Sequence, residues 1–161
     1  MEEPVNSMDG RVALVTGAGR GMGKAIALRL HDMGIAVALN DVDPGITTVA
    51  AAKVGEDVLA VPADVTSSDS VQRMVAKTLD HFGRLDILVN NAGILFTTRL
   101  EQISEKEWRR TLDVNLTGTF FCTQSVISPM KRQGYGRIVN LSSTAGKTAS
   151  TLGGAHYTAS K

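Results

Sequence analysis

Short apolar runs alternate with segments of helical period from Arg11 onward, and this alternation restricts the fold more than any other feature. The apolar runs lie at residues 12–16, 35–39, 58–61, 85–89 and 137–141, and we predict them to be strands. They show no regular alternation of polar and apolar residues, which is typical of strands buried on both faces of a sheet. The sequence therefore predicts an α/β protein with a doubly wound parallel sheet, formed as one domain over residues 9–161 with right-handed crossovers.

The segments between the predicted strands have the period and the end signals of helices. Ile26, Leu30 and Met33 share a helical face and are followed by Gly34. Residues 47–54 and 71–79 have similar patterns, and Gly83 follows the second of them. A capping-box pattern, Ser104-x-x-Glu107, predicts the start of a long helical stretch that reaches about Arg132.

Composition excludes several classes of partner. The chain has 161 residues, of which 43% are hydrophobic, enough for one domain with a core. Its 17 basic and 16 acidic residues give a net charge of +1, so we expect neither nucleic acid nor a membrane surface as partner. A single cysteine, Cys122, and the lack of a long apolar run favour a cytoplasmic protein. Residues 1–8 show no periodicity and are expected to form a loose tail.

A glycine-rich loop follows the first predicted strand, with the spacing Gly-x-x-x-Gly-x-Gly over residues 16–23. Glycines allow a sharp turn and a close approach of a ligand to backbone amides, and the amino end of the next helix points to the same place. The loop is therefore a candidate cradle for the diphosphate of a dinucleotide. The candidate residues are Gly17, Arg20, Gly21, Met22 and Gly23. A flexible turn without a ligand is the alternative, and no Gly-Lys-Ser/Thr ending supports a P-loop.

Asp41 follows the second predicted strand, at the distance where an acidic side chain binds the adenosine ribose of a dinucleotide. Its carboxylate would accept hydrogen bonds from a diol and repel a 2′-phosphate, which favours NAD over NADP. Arg20 is the counter-argument, because a guanidinium in the glycine loop can pair with that phosphate. Asp41 is otherwise an ordinary turn residue before Pro44 and Gly45.

Tyr157 and Lys161 stand four positions apart, which places both side chains on one face of a helix. An ammonium group close to a phenol favours the phenolate, and a tyrosine tuned in this way can act as a general acid or base. The spacing alone is common on surface helices, so its meaning depends on the rest of the chain.

Several motifs together resemble the short-chain dehydrogenase/reductase family, in family order, from about Asp9 to Lys161. The motifs are the glycine loop at residues 16–23, Asp64-Val65, Asn90-Asn91-Ala92-Gly93, Asn115, Ser143, and Tyr157 with Lys161. The resemblance implies a Rossmann-type fold and hydride transfer between NAD(H) and a secondary alcohol or ketone.

The resemblance also implies roles for the residues at the cofactor. Asp64 and Val65 are expected to hold the adenine, with the Asp64 carboxylate accepting from the exocyclic amine. Asn91, Ala92 and Gly93 are expected to pass close to the adenosine ribose, with Asn91 as the contact. Asn90 is the residue expected to brace the sheet instead.

At the catalytic end, the resemblance implies that Tyr157 moves the proton at the substrate oxygen and that Ser143 positions this oxygen. Ser142 is the alternative to Ser143, because the two serines are consecutive. Lys161 is expected to tune Tyr157 and to bind the nicotinamide ribose. Asn115 is associated with a helix kink and a proton relay through water.

Two other functions stay open. Arg20 is compatible with a second function, that of an NADPH-linked reductase of 3-oxoacyl thioesters. Family members continue beyond the lysine of the YxxxK motif, so we expect a longer polypeptide after Lys161. If the protein ended there, a truncated and inactive nucleotide-binding or interaction protein would be the alternative.

Further expectations concern partners and metals. Family members commonly assemble through the stretch that carries Trp108, Phe120 and Phe121, so we expect a homo-oligomer, a dimer or a tetramer. No metal site is expected, because the histidines and Cys122 lack the spacing of ligands. His31, His81 and His156 are expected to face solvent, with the lining of the substrate cleft as the alternative for His156 beside Tyr157.

Overall fold

The computed structural model describes Met8, residues 10–148 and residues 153–161. Within this part of the chain, five parallel strands form one sheet in the order β3-β2-β1-β4-β5. The strands are β1 (Val12–Val15), β2 (Ala36–Leu39), β3 (Leu59–Ala60), β4 (Ile87–Asn90) and β5 (Arg137–Asn140). The predicted α/β class with a parallel, doubly wound sheet is confirmed.

Helices connect the strands and cover both faces of the sheet. They are α1 (Gly21–Asp32), α2 (Pro44–Val54), α3 (Ser68–Phe82), α4 (Glu105–Leu112), α5 (Gly118–Arg132) and α6 (Ala155–Ser160). Short 3-10 turns lie at Leu100–Gln102 and Thr144–Gly146.

The two core layers follow from the alternation of side chains along β1. Val12 and Leu14 pack with residues of α3 and α5, whereas Ala13 and Val15 pack with residues of α1 and α2. Successive residues of a strand point to opposite faces, so an entirely apolar strand such as β1 must be covered on both sides. This explains why the central strands have unbroken apolar runs.

Strand order reverses between β1 and β4, because β1 pairs with β2 on one side and with β4 on the other. Leu14 is in register with Ala38 of β2 and with Leu88 of β4. In parallel sheets of this kind, the loops that leave the two strands diverge and open a crevice at the carboxyl ends. The glycine loop after β1 and the segment after β4 both lie at this crevice.

Three of the differences between the predicted and the observed element bounds are larger than a shift at a strand end or have an identifiable cause. Helix α2 begins at Pro44, because the Asp43 side chain accepts a hydrogen bond from Ile46 N at 2.9 Å and caps it. Strand β3 comprises only Leu59–Ala60. The long helical stretch is interrupted by a π-helical turn at Asp113–Thr117.

The expected N-terminal tail, residues 1–8, lies outside the described residues except for Met8, and so does Asp9. Among the described residues, no helix combines the length and the apolar character needed to cross a bilayer.

Candidate functional site

The glycine loop packs so closely against the segment after β4 that side chains would not fit. Gly17 has a φ of 60°, and a Cβ there would lie 2.7 Å from Ala92 Cα. Gly21 begins α1 with a φ of 57°. The first turn of α1 carries no acidic side chain and has no side-chain cap, so its first backbone N–H groups have no side-chain acceptor, as an anion site requires.

Side chains from both strands brace this loop. Thr16 Oγ1 accepts hydrogen bonds from Asn91 N and Ala92 N, each at 3.1 Å. In return, Asn91 Nδ2 donates to Thr16 O and Gly17 O, each at 2.9 Å. The Asn91 amide therefore holds the glycine loop, a role that the sequence analysis did not foresee. Asn90 Nδ2 donates to Asn140 Oδ1 at 2.9 Å and joins β4 to β5, as expected.

Asp41 lies at the end of β2 and is tied to the glycine loop. Its Oδ2 accepts a hydrogen bond from Gly19 N at 3.1 Å. The preceding residue, Asn40, is buried, and its Nδ2 donates to Val61 O at 2.9 Å and to Ala63 O at 3.1 Å. Asn40 therefore fixes the end of β2 relative to the segment after β3, which carries Asp64.

A cleft of about 330 Å³ runs along the carboxyl ends of the strands. It is lined by most of the predicted cofactor residues, namely Gly17, Arg20, Met22, Gly23, Asp41, Asp64, Val65, Asn91, Ala92 and Gly93. Sequence reasoning missed other lining residues, including Asn40, Val42, Ala63, Ile94, Arg110 and Val114. Gly21, Tyr157 and Lys161 do not line this cleft.

The residues of the cleft fit a dinucleotide. The glycines leave a cradle that Cβ atoms would fill, and the amino end of α1 supplies donors for a diphosphate. At the β2 end, Asp41 lines the cleft, where its carboxylate oxygens could accept hydrogen bonds from a diol. Asp64 Oδ1 accepts from Thr66 N at 2.9 Å and Thr66 Oγ1 at 2.8 Å, which orients its carboxylate at the cleft wall.

Asn115 lies in the π-helical turn and is buried. Its Oδ1 accepts from Ile94 N at 2.8 Å, and its Nδ2 donates to Ile94 O at 3.0 Å and to Ser160 Oγ at 2.8 Å. One side chain thus joins the segment after β4 to the last turn of α6. The wide turn brings Asn115 into this position.

Lys161 lies close to the end of the cleft marked by Gly93. A Cβ built on Gly93 would lie 3.5 Å from Lys161 Nζ and 3.4 Å from Asn115 Oδ1. Lys161 Nζ donates to Leu141 O at 2.9 Å and lies 6.0 Å from the centre of the Tyr157 ring. Burial lowers the pKa of the Lys161 ammonium group.

The two candidate serines make different contacts. Ser143 Oγ accepts a hydrogen bond from Ala145 N at 3.2 Å at the start of a 3-10 turn. Ser142 Oγ donates to Lys161 O at 3.0 Å, so this serine holds the end of α6. The structure gives Ser142 a structural contact. Among the described residues, the Ser143 hydroxyl is recorded only as an acceptor, so it could donate to another group.

The expectation that all three histidines face solvent is wrong for His156. His81 is exposed, and His31 is partly buried with its Nε2 2.8 Å from Asp57 Oδ1. The side chain of His156 is fully buried, and its Nε2 lies 2.8 Å from Glu107 Oε1. Nothing in the local sequence distinguishes this residue, because α4 covers it from a distant part of the chain.

The parallel sheet, the glycine loop at the amino end of α1 and the crevice at the reversal of strand order define a protein with a Rossmann-type fold. More particularly, the chain belongs to the short-chain dehydrogenase family, whose sequence model matches residues 11–161.

Curated relatives are similar to the chain over most of its length. The (2S)-[(R)-hydroxy(phenyl)methyl]succinyl-CoA dehydrogenase subunit BbsD of Thauera aromatica is 46% identical over 151 residues, which are 92% of this chain and 59% of the relative. A 3-oxoacyl-[acyl-carrier-protein] reductase of Synechocystis is 42% identical and covers 98% of this chain and 65% of the relative. The reductase FabG of Staphylococcus aureus is 42% identical, with 92% and 62% covered. The chain thus spans about 59–65% of the length of these relatives.

Proposed function

We propose that the protein is an oxidoreductase that transfers a hydride between NAD(H) and a secondary alcohol or ketone. One observation carries this proposal most directly. Lys161 Nζ and Asn115 Oδ1 both approach Gly93, and Gly93 lines the same cleft as the glycine loop. A ligand with its diphosphate at the glycine loop would therefore extend toward the helix that carries Tyr157.

Each residue near Gly93 and α6 has a proposed role in the reaction. A bound nicotinamide would supply or accept the hydride. The Tyr157 hydroxyl gives a proton to the substrate oxygen during reduction and takes it back during oxidation. The Ser143 hydroxyl donates a hydrogen bond to the same oxygen and stabilises charge that develops there. Lys161 carries positive charge near Tyr157 and binds ribose hydroxyls, and Asn115 holds α6 in place and takes part in the proton relay.

Replacement of Tyr157 tests the proposal, and the other tyrosine of the chain gives a matched control. Tyr157→Phe should lower kcat by about 10²–10⁴-fold, because it removes the general acid or base. Binding of NADH, measured by its fluorescence, should stay unchanged. Tyr135→Phe, at a ring held between Arg11 and Arg137 away from the cleft, should keep wild-type turnover. Wild-type kcat in Tyr157→Phe would contradict the proposal.

The proposed cofactor is NAD. Asp41 supports this choice, since its carboxylate lies beside Gly19 at the cleft and would repel a 2′-phosphate. Arg20, which also lines the cleft, supports NADP. Parallel titrations with NADH and NADPH decide between them, and a clear preference for NADPH would overturn the role given to Asp41.

A second candidate is an NADPH-linked reductase of 3-oxoacyl thioesters. It is favoured by the names of the relatives, which are a reductase of 3-oxoacyl-[acyl-carrier-protein] and a dehydrogenase of an acyl-CoA. Turnover of acetoacetyl-CoA should be compared with that of ethyl acetoacetate under both cofactors. Preference for the thioester together with NADPH would establish this candidate. Nucleotide binding without turnover of any ketone would instead favour an inactive nucleotide-binding protein.

We also propose that the protein forms a homo-oligomer through α4 and α5. Large apolar side chains on this stretch are exposed in the single chain, namely Trp108, Leu116, Phe120 and Ile127. Such a surface is typical of an interface between subunits. Sedimentation analysis of Phe120→Glu against the wild type would test it, with a smaller species expected for the variant.

A further inference from the structure

His156 and Glu107 form a buried contact directly beside Tyr157. His156 lies in the first turn of α6, and its side chain has no exposed area. Glu107 lies in the first turn of α4 with 21% of its side chain exposed, and the two polar atoms are 2.8 Å apart. The contact therefore joins the amino ends of two helices that are distant in the sequence.

Glu107 faces His156 although the sequence gives it a different partner. In a complete capping box, the Glu107 carboxylate would reach back to the backbone N–H of Ser104. The structure forms one half of that motif, since Ser104 Oγ accepts from Glu107 N at 3.2 Å. The carboxylate itself lies against the imidazole of His156.

Burial makes this contact sensitive to substitution. Among the described residues, neither ring nitrogen of His156 nor Glu107 Oε1 has an aligned hydrogen bond. The 2.8 Å approach is therefore the polar compensation of His156 Nε2 and Glu107 Oε1. A buried polar group that loses its compensation destabilises its surroundings. The amino end of α6 therefore depends on Glu107.

Phe96 extends the contact to the segment after β4. Its ring stacks on His156 with centroids 6.0 Å apart and an angle of 10°. Its carbonyl oxygen accepts a hydrogen bond from Gly154 N at 3.0 Å. A Cβ on Gly154 would collide with the His156 ring and lie 2.7 Å from Thr98 O, so the backbone must come close here.

Helix α6 is attached to the rest of the molecule at two described points. Ser160 Oγ accepts a hydrogen bond from Asn115 Nδ2 at 2.8 Å. The amino end of α6 is held by His156, which lies against Glu107 and Phe96. Tyr157 lies between these two points of attachment.

We propose that His156 and Glu107 are positioning residues that fix the orientation of Tyr157 toward the substrate. This inference rests on the proposed function for its catalytic consequence. Neither His156 nor Glu107 is among the residues that line the cleft. It acts by holding the first turn of α6, and with it the Tyr157 hydroxyl, relative to the segment after β4.

The test uses two replacements of His156 and one of His31 in the full-length protein. His156→Leu should lower kcat roughly tenfold or more, because a small displacement of a catalytic group is costly. NADH binding should weaken far less than kcat falls, since the glycine loop and Asp41 are untouched. His156→Gln, which keeps a donor for Glu107, should recover most of kcat. Wild-type kcat in His156→Leu, or an equal loss in both variants, would overturn the proposal.

His31→Leu is the matched control, because His31 forms a similar 2.8 Å contact with Asp57 far from α6. It should leave kcat at the wild-type value. Should His156→Leu fold poorly, Glu107→Gln provides a milder change on the other side of the contact, and an unchanged kcat in that variant would count against the proposal.

Hydrogen exchange separates a failure of this inference from a failure of the proposed function. The amides of Tyr157 and Lys161 donate to Gly154 O and Tyr157 O within α6. Their exchange should be faster in His156→Leu and unchanged in His31→Leu, whether or not any ketone is reduced. Unchanged exchange in His156→Leu would overturn the positioning role, whereas a wild-type protein inactive on all ketones would overturn only the proposed function.

Discussion

Among single residues, Asp86 shows how a buried charge is tolerated at the amino end of the sheet. Its side chain is fully buried, and its oxygens accept hydrogen bonds from Arg84, Arg11 and Val12 N at 2.7–3.0 Å. Burial alone would raise the pKa of this carboxyl, but the bonds from Arg84, Val12 and Arg11 outweigh burial and lower it. The ionised form is thus part of the folded state.

We predict that Asp86→Asn lowers the free energy of unfolding by about 2 kcal/mol near neutral pH, the size of a hydrogen bond to a charged group. Because the folded pKa is below the ordinary value of 3.8, the contribution is complete above that value and is lost as the pH falls through the folded pKa. Urea unfolding of both proteins should therefore show a difference that narrows only below about pH 4. Asp57→Asn, at an exposed contact, is the control and should change stability little.

Single residues also show which contacts the sequence does not predict. The glycine loop and Asp41 were predicted because their chemistry depends on local spacing. Asn40 was not, because its partners Val61 and Ala63 are 21 and 23 residues away. His156 was assigned to solvent for the same reason, since the covering Glu107 lies on another helix.

At the scale of elements, helix ends combine local and distant signals. Ser67 Oγ caps α3 by accepting from Ser70 N at 3.3 Å, and Gly83 ends the helix in a left-handed conformation with a φ of 74°. Serines before the helix and a glycine after it are local signals, which made this helix predictable. The π-helical turn at Asp113–Thr117 depends on Asn115 meeting Ile94 and Ser160, so periodicity alone could not predict it.

We predict that Gly83→Ala destabilises the protein by about 1 kcal/mol, because a Cβ disfavours the left-handed conformation. Among the described residues, no atom outside the local backbone lies within 4 Å of a Cβ built there, so the cost is conformational. Gly83→Asn should retain most of the stability, since asparagine tolerates this conformation better. Thermal unfolding of the wild type and the two variants gives the order of their stabilities. Equal stability of the alanine variant and the wild type would contradict the prediction.

At the scale of the whole molecule, the sequence predicts a parallel sheet, but it does not predict which residues of neighbouring strands pair. Apolar runs separated by helices indicate a parallel sheet, but the short β3 could not be delimited because only Leu59 and Ala60 pair with β2. The cleft depends on this arrangement, since its walls come from the segments after β1, β2, β3 and β4.

We predict that saturating NADH slows unfolding but leaves the rate of refolding unchanged. A ligand that binds only the completed site adds stability that is absent from the transition state. Stopped-flow measurements in urea with and without NADH would check this. Faster refolding with NADH would show that the site forms before the rate-limiting step.

The glycine turn is braced by Asn91, which lies 75 residues after Thr16. During synthesis on the ribosome, the turn therefore emerges long before its support does. A nascent chain that ends before β4 lacks this support for the turn. If the proposed cofactor role holds, capture of the dinucleotide would be tied to completion of the central strands, and bound nucleotide would mark chains that have passed this stage of folding.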